Sequence, residues 1–216
     1  MTKEKDFYRE LPAGYREDKV VDATDKKFMS VLYTALAVVM IITYVIVDFI
    51  DCGRITLFDA FFNRPTESDA ITEWFINSVV VPAAVLIIGL VVYSCLRKAA
   101  TALSCKIITG EKPIKQKING MEYYTVPGGV YIGKKSLLCG SLIPFAVFVI
   151  VLLLGVILLS GTSFAVVMKI LFALHVGSSV SDFYVAGLLI FKYRKGCLMK
   201  DDGPKQVFYV RTETEE

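Results

Sequence analysis

A chain of 216 residues that is 55% hydrophobic, with a mean hydropathy of +0.56, carries more apolar side chains than a soluble domain of its length needs. Its formal net charge of +3 is too small to argue by itself for nucleic acid or any other charged partner. Five cysteines, no two in C-x-x-C spacing, and a single histidine exclude a metal or redox cluster recognisable by spacing alone.

In chain order, residues 1–28 mix seven basic with seven acidic side chains. Pro12-Ala13-Gly14-Tyr15 reads as a turn, and the segment is expected to be mobile or to lie on a surface. It contains no short apolar stretch followed by a small-residue cleavage site, so no signal peptide is expected. Residues 29–50 form the first of four apolar blocks, the others covering 76–96, 136–160 and 163–191. About 20 mostly apolar residues cross a hydrocarbon core as a helix, and a helix is what lipid demands, because every backbone N–H and C=O must be satisfied within the segment.

Between the first two blocks, Leu57-Phe58-Asp59-Ala60-Phe61-Phe62 suits a short interfacial helix, with Trp74 and Phe75 anchoring the second span. Pro82 lies inside that span, and a helical extension runs from Arg97 to Lys106 and ends at Thr109-Gly110. Asn119-Gly120, flanked by β-formers, predicts a hairpin over about 115–132. After the third block, Gly161-Thr162-Ser163 turns the chain directly back, so the third and fourth helices are expected to form a tight antiparallel pair. A turn at Asp201-Asp202-Gly203-Pro204 precedes a strand over about 206–211, placed to pair with the hairpin. The expected fold class is an α-helical integral membrane protein: four transmembrane helices with a small cytoplasmic β element. Its parts are an N-terminal segment (1–28), a membrane domain (29–191) that includes the 97–135 extension and hairpin, and a tail (192–216).

Orientation follows from the cations. Lys and Arg number seven in 1–28, two in 51–74, eight in 97–135, none in 161–163 and six in 192–216, with Lys169 alone inside a span. The positive-inside rule then predicts a multi-pass protein of the cell membrane with both termini and the 97–135 loop cytoplasmic. The same rule accounts for the basic loop without nucleic acid. Only Cys52 falls on the predicted outer side, which argues against a disulfide framework.

Ionisable residues within membrane helices are costly and default to functional candidates. The run from His175 to Asp182 is read as an interruption of the fourth helix, and because seven residues of helix advance about two turns the two side chains are expected near one face. They suit a zinc ligand set or a proton relay, and equally a polar pair satisfied by itself and nearby backbone. The intervening Gly177-Ser178-Ser179-Val180-Ser181 is small and hydroxylated, which permits close helix approach.

Across 87–211 the chain resembles the bacterial putative zincin membrane peptidases, a family with a site-2-protease-like layout. The resemblance rests on Thr109-Gly110-Glu111-Lys112-Pro113, on Thr125-Val126-Pro127 with Tyr131-Ile132-Gly133-Lys134-Lys135, and above all on Gly177 to Val185. Lys200-Asp201-Asp202-Gly203 followed by Val207-Phe208-Tyr209 completes it. The resemblance implies a zinc-binding H-E-x-x-H near the end of the helix before the hairpin, where two histidines hold the metal and the glutamate activates its water. Counted back from Gly110, those places hold Lys98, Ala99 and Ala102. Asp182 falls where the family's third ligand is expected, and His175 matches a polar residue of the same motif. With the pair of histidines missing, zinc is not expected; a residual ligand set would have to draw on Asp182, His175, Cys95 and Cys105. Lys98 in the vacated place would repel a cation and could pair with Asp182 instead.

These readings predict a non-catalytic pseudoprotease that binds a membrane segment or another membrane protein, with the lipid bilayer as its surroundings. The alternatives are a small transporter or accessory subunit using His175 and Asp182 as a proton or ion site, and an active metallopeptidase with unusual ligands.

Overall fold

A computed structural model describes residues 7–51, 68–110, 114–118, 121–125, 130–202 and 205–212. The expected interfacial helix over 57–62 and the turn at 119–120 lie outside them. The fold is mostly helical. Helix α1 covers Lys26–Ile50, α2 Ser68–Phe75, α3 Val81–Thr109, α4 Lys134–Leu158, α5 Ser163–Ser178 and α6 Val180–Gly187. Among the described residues, four helical stretches are long and apolar enough to cross a membrane: Lys26–Ile50, Ala70–Ile108, Lys134–Leu158 and Ser163–Lys192. They coincide with the four apolar blocks, and the second includes the extension past Leu96.

Local chemistry sets the ends and irregularities. The Asp25 carboxylate accepts from the backbone N–H of Lys27 at 2.9 Å, an N-cap for α1. Asp22 accepts from both the N–H and the hydroxyl of Thr24, at 2.8 and 2.6 Å, and turns the chain into that helix. Pro82 has no N–H to donate, and the turn just before it, Ile76–Val80, widens into a π-helix. A second π turn, Leu188–Lys192, ends the fourth stretch.

The chain forms two compact units. The first comprises Thr34–Arg97 and Phe145–Val180. Its core is Val47, Leu152, Val156, Val167, Leu171 and Phe172, with Val85, Leu86 and Leu90 packed against it. Small residues let the helices approach, as their composition predicts. A Cβ on Gly155 would lie 3.1 Å from the Met168 sulfur, and one on Gly177 would meet Met40 as well as the Leu36 carbonyl at 3.1 Å. Gly161, at φ +82°, makes the short link from α4 to α5. The fourth stretch is the most enclosed: 56% of its apolar window is buried, against 6–11% for the other three. The remaining three expose apolar residues such as Ile87, Ile88 and Val91, the surface expected of lipid-facing helices.

The second unit comprises Met1–Tyr33, Lys98–Pro144 and Ser181–Glu216. It holds a five-stranded antiparallel sheet in the order β1-β5-β6-β7-β2, formed by Phe7–Tyr8, Tyr131–Gly133, Leu198–Asp201, Lys205–Arg211 and Tyr15–Asp22. Strands β3 (Ile114–Ile118) and β4 (Met121–Thr125) pair separately as the expected hairpin. Two sequence expectations change here. The tail strand β7 pairs with β6 and β2, and not with the hairpin. The N-terminal segment, read as mobile or surface-lying, contributes two strands, β2 being aligned with β7 from Tyr15 opposite Arg211 to Asp22 opposite Lys205. Arg16, Glu17, Asp18 and Lys19 are consecutive charged residues and the register is irregular between Glu17 and Lys19, so no apolar-polar alternation marks the segment and its charge conceals a strand. Phe208, fully buried, stacks on Tyr193 with ring centroids 5.3 Å apart, and Leu189, Cys197 and Met199 complete that core.

Candidate functional site

His175 lies in the last turn of α5 and is 2% exposed. The Phe145 carbonyl is 3.2 Å from its Nε2, and the Tyr93 hydroxyl is 2.9 Å from its Nδ1. A carbonyl only accepts, so Nε2 carries the proton and Tyr93 donates to Nδ1 of the neutral ring. Phe145 stacks on the imidazole at 5.1 Å between ring centroids, and Phe148 closes another side at 5.4 Å. Both ring nitrogens are therefore engaged by protein groups.

The polar run after His175 is also consumed locally. The hydroxyls of Ser178 and Ser179 donate to the His175 carbonyl at 3.1 and 2.9 Å. Arg97 donates to the Ser178 hydroxyl and, at 3.1 Å, to its carbonyl. Such bonds compete with the helix ladder, and Ser179 leaves helical geometry at φ −92°, ψ 4°. The helix is consequently broken between His175 and Asp182. The seven-residue spacing that suggested a shared face assumed a continuous helix, and the two residues belong to different compact units.

Asp182 sits in the first turn of α6 and is half-buried. On α3, Lys98 and Ala99 are exposed and Ala102 is half-buried; Cys95 is exposed and Cys105 half-buried. Among the described residues no three His, Cys, Asp or Glu side chains lie together as a metal site. The donor chemistry agrees, since an ammonium and two methyl groups stand at the three places that the resemblance assigns to the motif, and both nitrogens of the histidine have partners. These residues do not fit a catalytic zinc.

A second polar cluster was not singled out from sequence. Lys169, fully buried in α5, pairs with Asp48 and Asp51 at 2.8 Å each, and Ser160 donates to Asp51. The signal was available: Lys169 is the one cation inside an apolar block, and it faces two carboxylates at the end of another.

Among the described residues the chain is mostly helical, with four helices long and apolar enough to cross a membrane, a small antiparallel sheet and a fourth helix broken at a Gly-Ser-Ser run. The family model described as "Putative zincin peptidase" matches residues 90–198, half of the chain, and the chain belongs to that family. Comparison with curated proteins and with solved structures found no match to either.

Proposed function

We propose that this protein is a membrane-embedded, non-catalytic member of the zincin-peptidase family that binds a transmembrane segment or a membrane-protein partner. The observation that carries this reading is the substitution of all three motif side chains, by Lys98, Ala99 and Ala102, in a chain whose only histidine is enclosed by Tyr93, Phe145 and Phe148. Proteolysis by this mechanism needs two histidines and a glutamate, and no residue elsewhere in the sequence replaces the pair. The apolar residues exposed on the other membrane-length helices, such as Ile41, Ile87 and Ile150, support the binding part of the reading, because such a surface can take up a transmembrane partner beside lipid. Both termini are placed in the cytoplasm on the distribution of Lys and Arg.

The test is elemental analysis of the full chain purified in detergent without a histidine tag. Zinc near zero is expected; one zinc per chain would overturn the proposal and direct mutation to Asp182, Cys95 and Cys105. A second reading, an ion- or proton-handling accessory subunit, draws support from the buried Lys169 cluster, since charge inside an apolar helix is retained at a cost. Proton flux in proteoliposomes that is lost in Asp182→Asn or Lys169→Met would favour it.

A further inference from the structure

In the sheet-bearing unit a cleft of about 850 Å³ opens where the fourth membrane-length helix ends. Five cations line it: Arg16 from β2, Lys192, Arg194 and Lys195 from the end of the helix and the turn after it, and Arg211 from β7. No carboxylate is among its described lining residues. Lys192 is partly committed, because it donates to Asp18 at 2.6 Å and lies 5.1 Å above the Tyr193 ring. Arg16, Arg194 and Arg211 all stand exposed around the opening.

Topology alone does not account for this arrangement. The positive-inside bias asks only for cations close to a span end, and is met by Lys192, Arg194 and Lys195. Arg16 and Arg211 come from opposite ends of the chain and are brought here by the pairing of β2 with β7, in which Arg16 stands opposite Val210 and Tyr15 opposite Arg211. Gly196 shapes the turn: at φ +112° it adopts a conformation that a side chain disfavours, and its N–H donates to the Tyr193 carbonyl at 3.2 Å. Convergent like charge is tolerated where an anion is to be bound. Guanidinium groups match phosphate oxygens through paired N–H donors, and the volume falls within the range of small-ligand sites and well above that of a bare phosphate ion.

We propose that this cleft binds a phosphate-bearing anion, either the headgroup of an anionic membrane lipid or a soluble phosphate ester. The end of a membrane-length helix lies at headgroup depth, where each basic side chain strengthens attraction to anionic lipid by about fivefold. The site is independent of the zincin motif, and its test does not depend on whether zinc binds.

The experiment titrates the full chain in neutral detergent with dioctanoyl phosphatidylglycerol, dioctanoyl phosphatidylcholine and glycerol 3-phosphate, and follows the thermal midpoint. A saturable rise with phosphatidylglycerol beyond that with phosphatidylcholine assigns the lipid headgroup. A rise with glycerol 3-phosphate at equal affinity supports the site and assigns the soluble ester. In Arg194→Gln/Arg211→Gln the affinity is expected to fall about 25-fold, with the ligand-free midpoint unchanged. Arg194→Lys, which keeps the charge, is a milder second variant and is expected to retain most of the binding. No response to either anion, a response equal to that with phosphatidylcholine, or parental affinity in the double variant overturns the proposal.

Discussion

At the scale of single residues, the histidine shows how burial decides between chemistry and structure. His175 appeared as the natural metal or proton site because it is the sequence's only histidine and lies in an apolar block. Its partners, Tyr93 and the Phe145 carbonyl, lie 82 and 30 residues away in sequence, and no spacing rule connects them. Tyr93→Phe removes the donor to Nδ1 while preserving the ring that packs edge-on at 5.7 Å. It is expected to destabilise the protein by about 1–3 kcal/mol, the cost of an unsatisfied buried acceptor, as measured by thermal or denaturant unfolding in detergent. A parental midpoint in Tyr93→Phe would show that the hydrogen bond does not hold the ring.

Cys197 offers a pH test outside the membrane-length helices. Burial raises its thiol from 9.0 to about 11, against a smaller opposing effect of the Lys134 ammonium. A raised pKa means that the folded state holds the proton more tightly than the unfolded one. The associated stability is therefore complete below pH 9 and is lost as pH rises from 9 to 11. At pH 8 about one Cys197 thiol in a thousand is ionised, so a water-soluble maleimide is expected to leave it unmodified until the protein unfolds. Rapid labelling of native Cys197 at pH 8 would contradict its burial in the core with Tyr193, Met199 and Phe208.

At the scale of elements, composition was a good guide to helices and a poor one to strands. Four apolar blocks announced four membrane-length helices, because lipid-length hydrophobicity has almost no competing explanation. The break at Ser179 was foreshadowed by the Gly-Ser-Ser run, although nothing local identified Arg97 as the group that bonds to it. Strand β2 was invisible: Tyr15–Asp22 carries five charged residues and becomes a strand only when β7 offers it a partner. Lys169 was visible in sequence but unpaired there, since Asp48 and Asp51 lie more than a hundred residues earlier. That cluster ties α5 to the end of α1 through a cation between two carboxylates. Lys169→Met leaves both acids without their cation and is expected to cost about 3–5 kcal/mol, the usual penalty for breaking a buried pair. Asp48→Asn should be milder than Asp51→Asn, because Asp48 is 22% exposed, while Asp51 is 5% exposed and also receives Ser160. Unfolding midpoints of the three variants in one detergent check the ranking, and equal midpoints would deny the cluster a structural role.

At the scale of the whole molecule, membership of the zincin-peptidase family in a chain that holds one histidine and no H-E-x-x-H poses a question that restoration answers better than deletion. Lys98, Ala99 and Ala102 lie on one continuous helix with the i, i+1 and i+4 spacing of the motif that the resemblance assigns to them, and the match of residues 90–198 includes Asp182. If the scaffold has kept the family's geometry while losing its side chains, Lys98→His/Ala99→Glu/Ala102→His should regain metal. Two histidines one turn apart share a helix face, and a carboxylate is a suitable third ligand. The expected result is about one zinc per chain in the triple variant and near zero in the parent, by elemental analysis of untagged protein. Asp182→Asn in the triple variant should weaken zinc binding by about 10–100-fold if its carboxylate supplies the third ligand. Zinc retained at the triple variant's affinity after Asp182→Asn would remove that residue from the site. A triple variant that folds but holds no metal would show that the backbone has drifted along with the motif, and that family membership preserves the order of helices here without preserving the site they once framed.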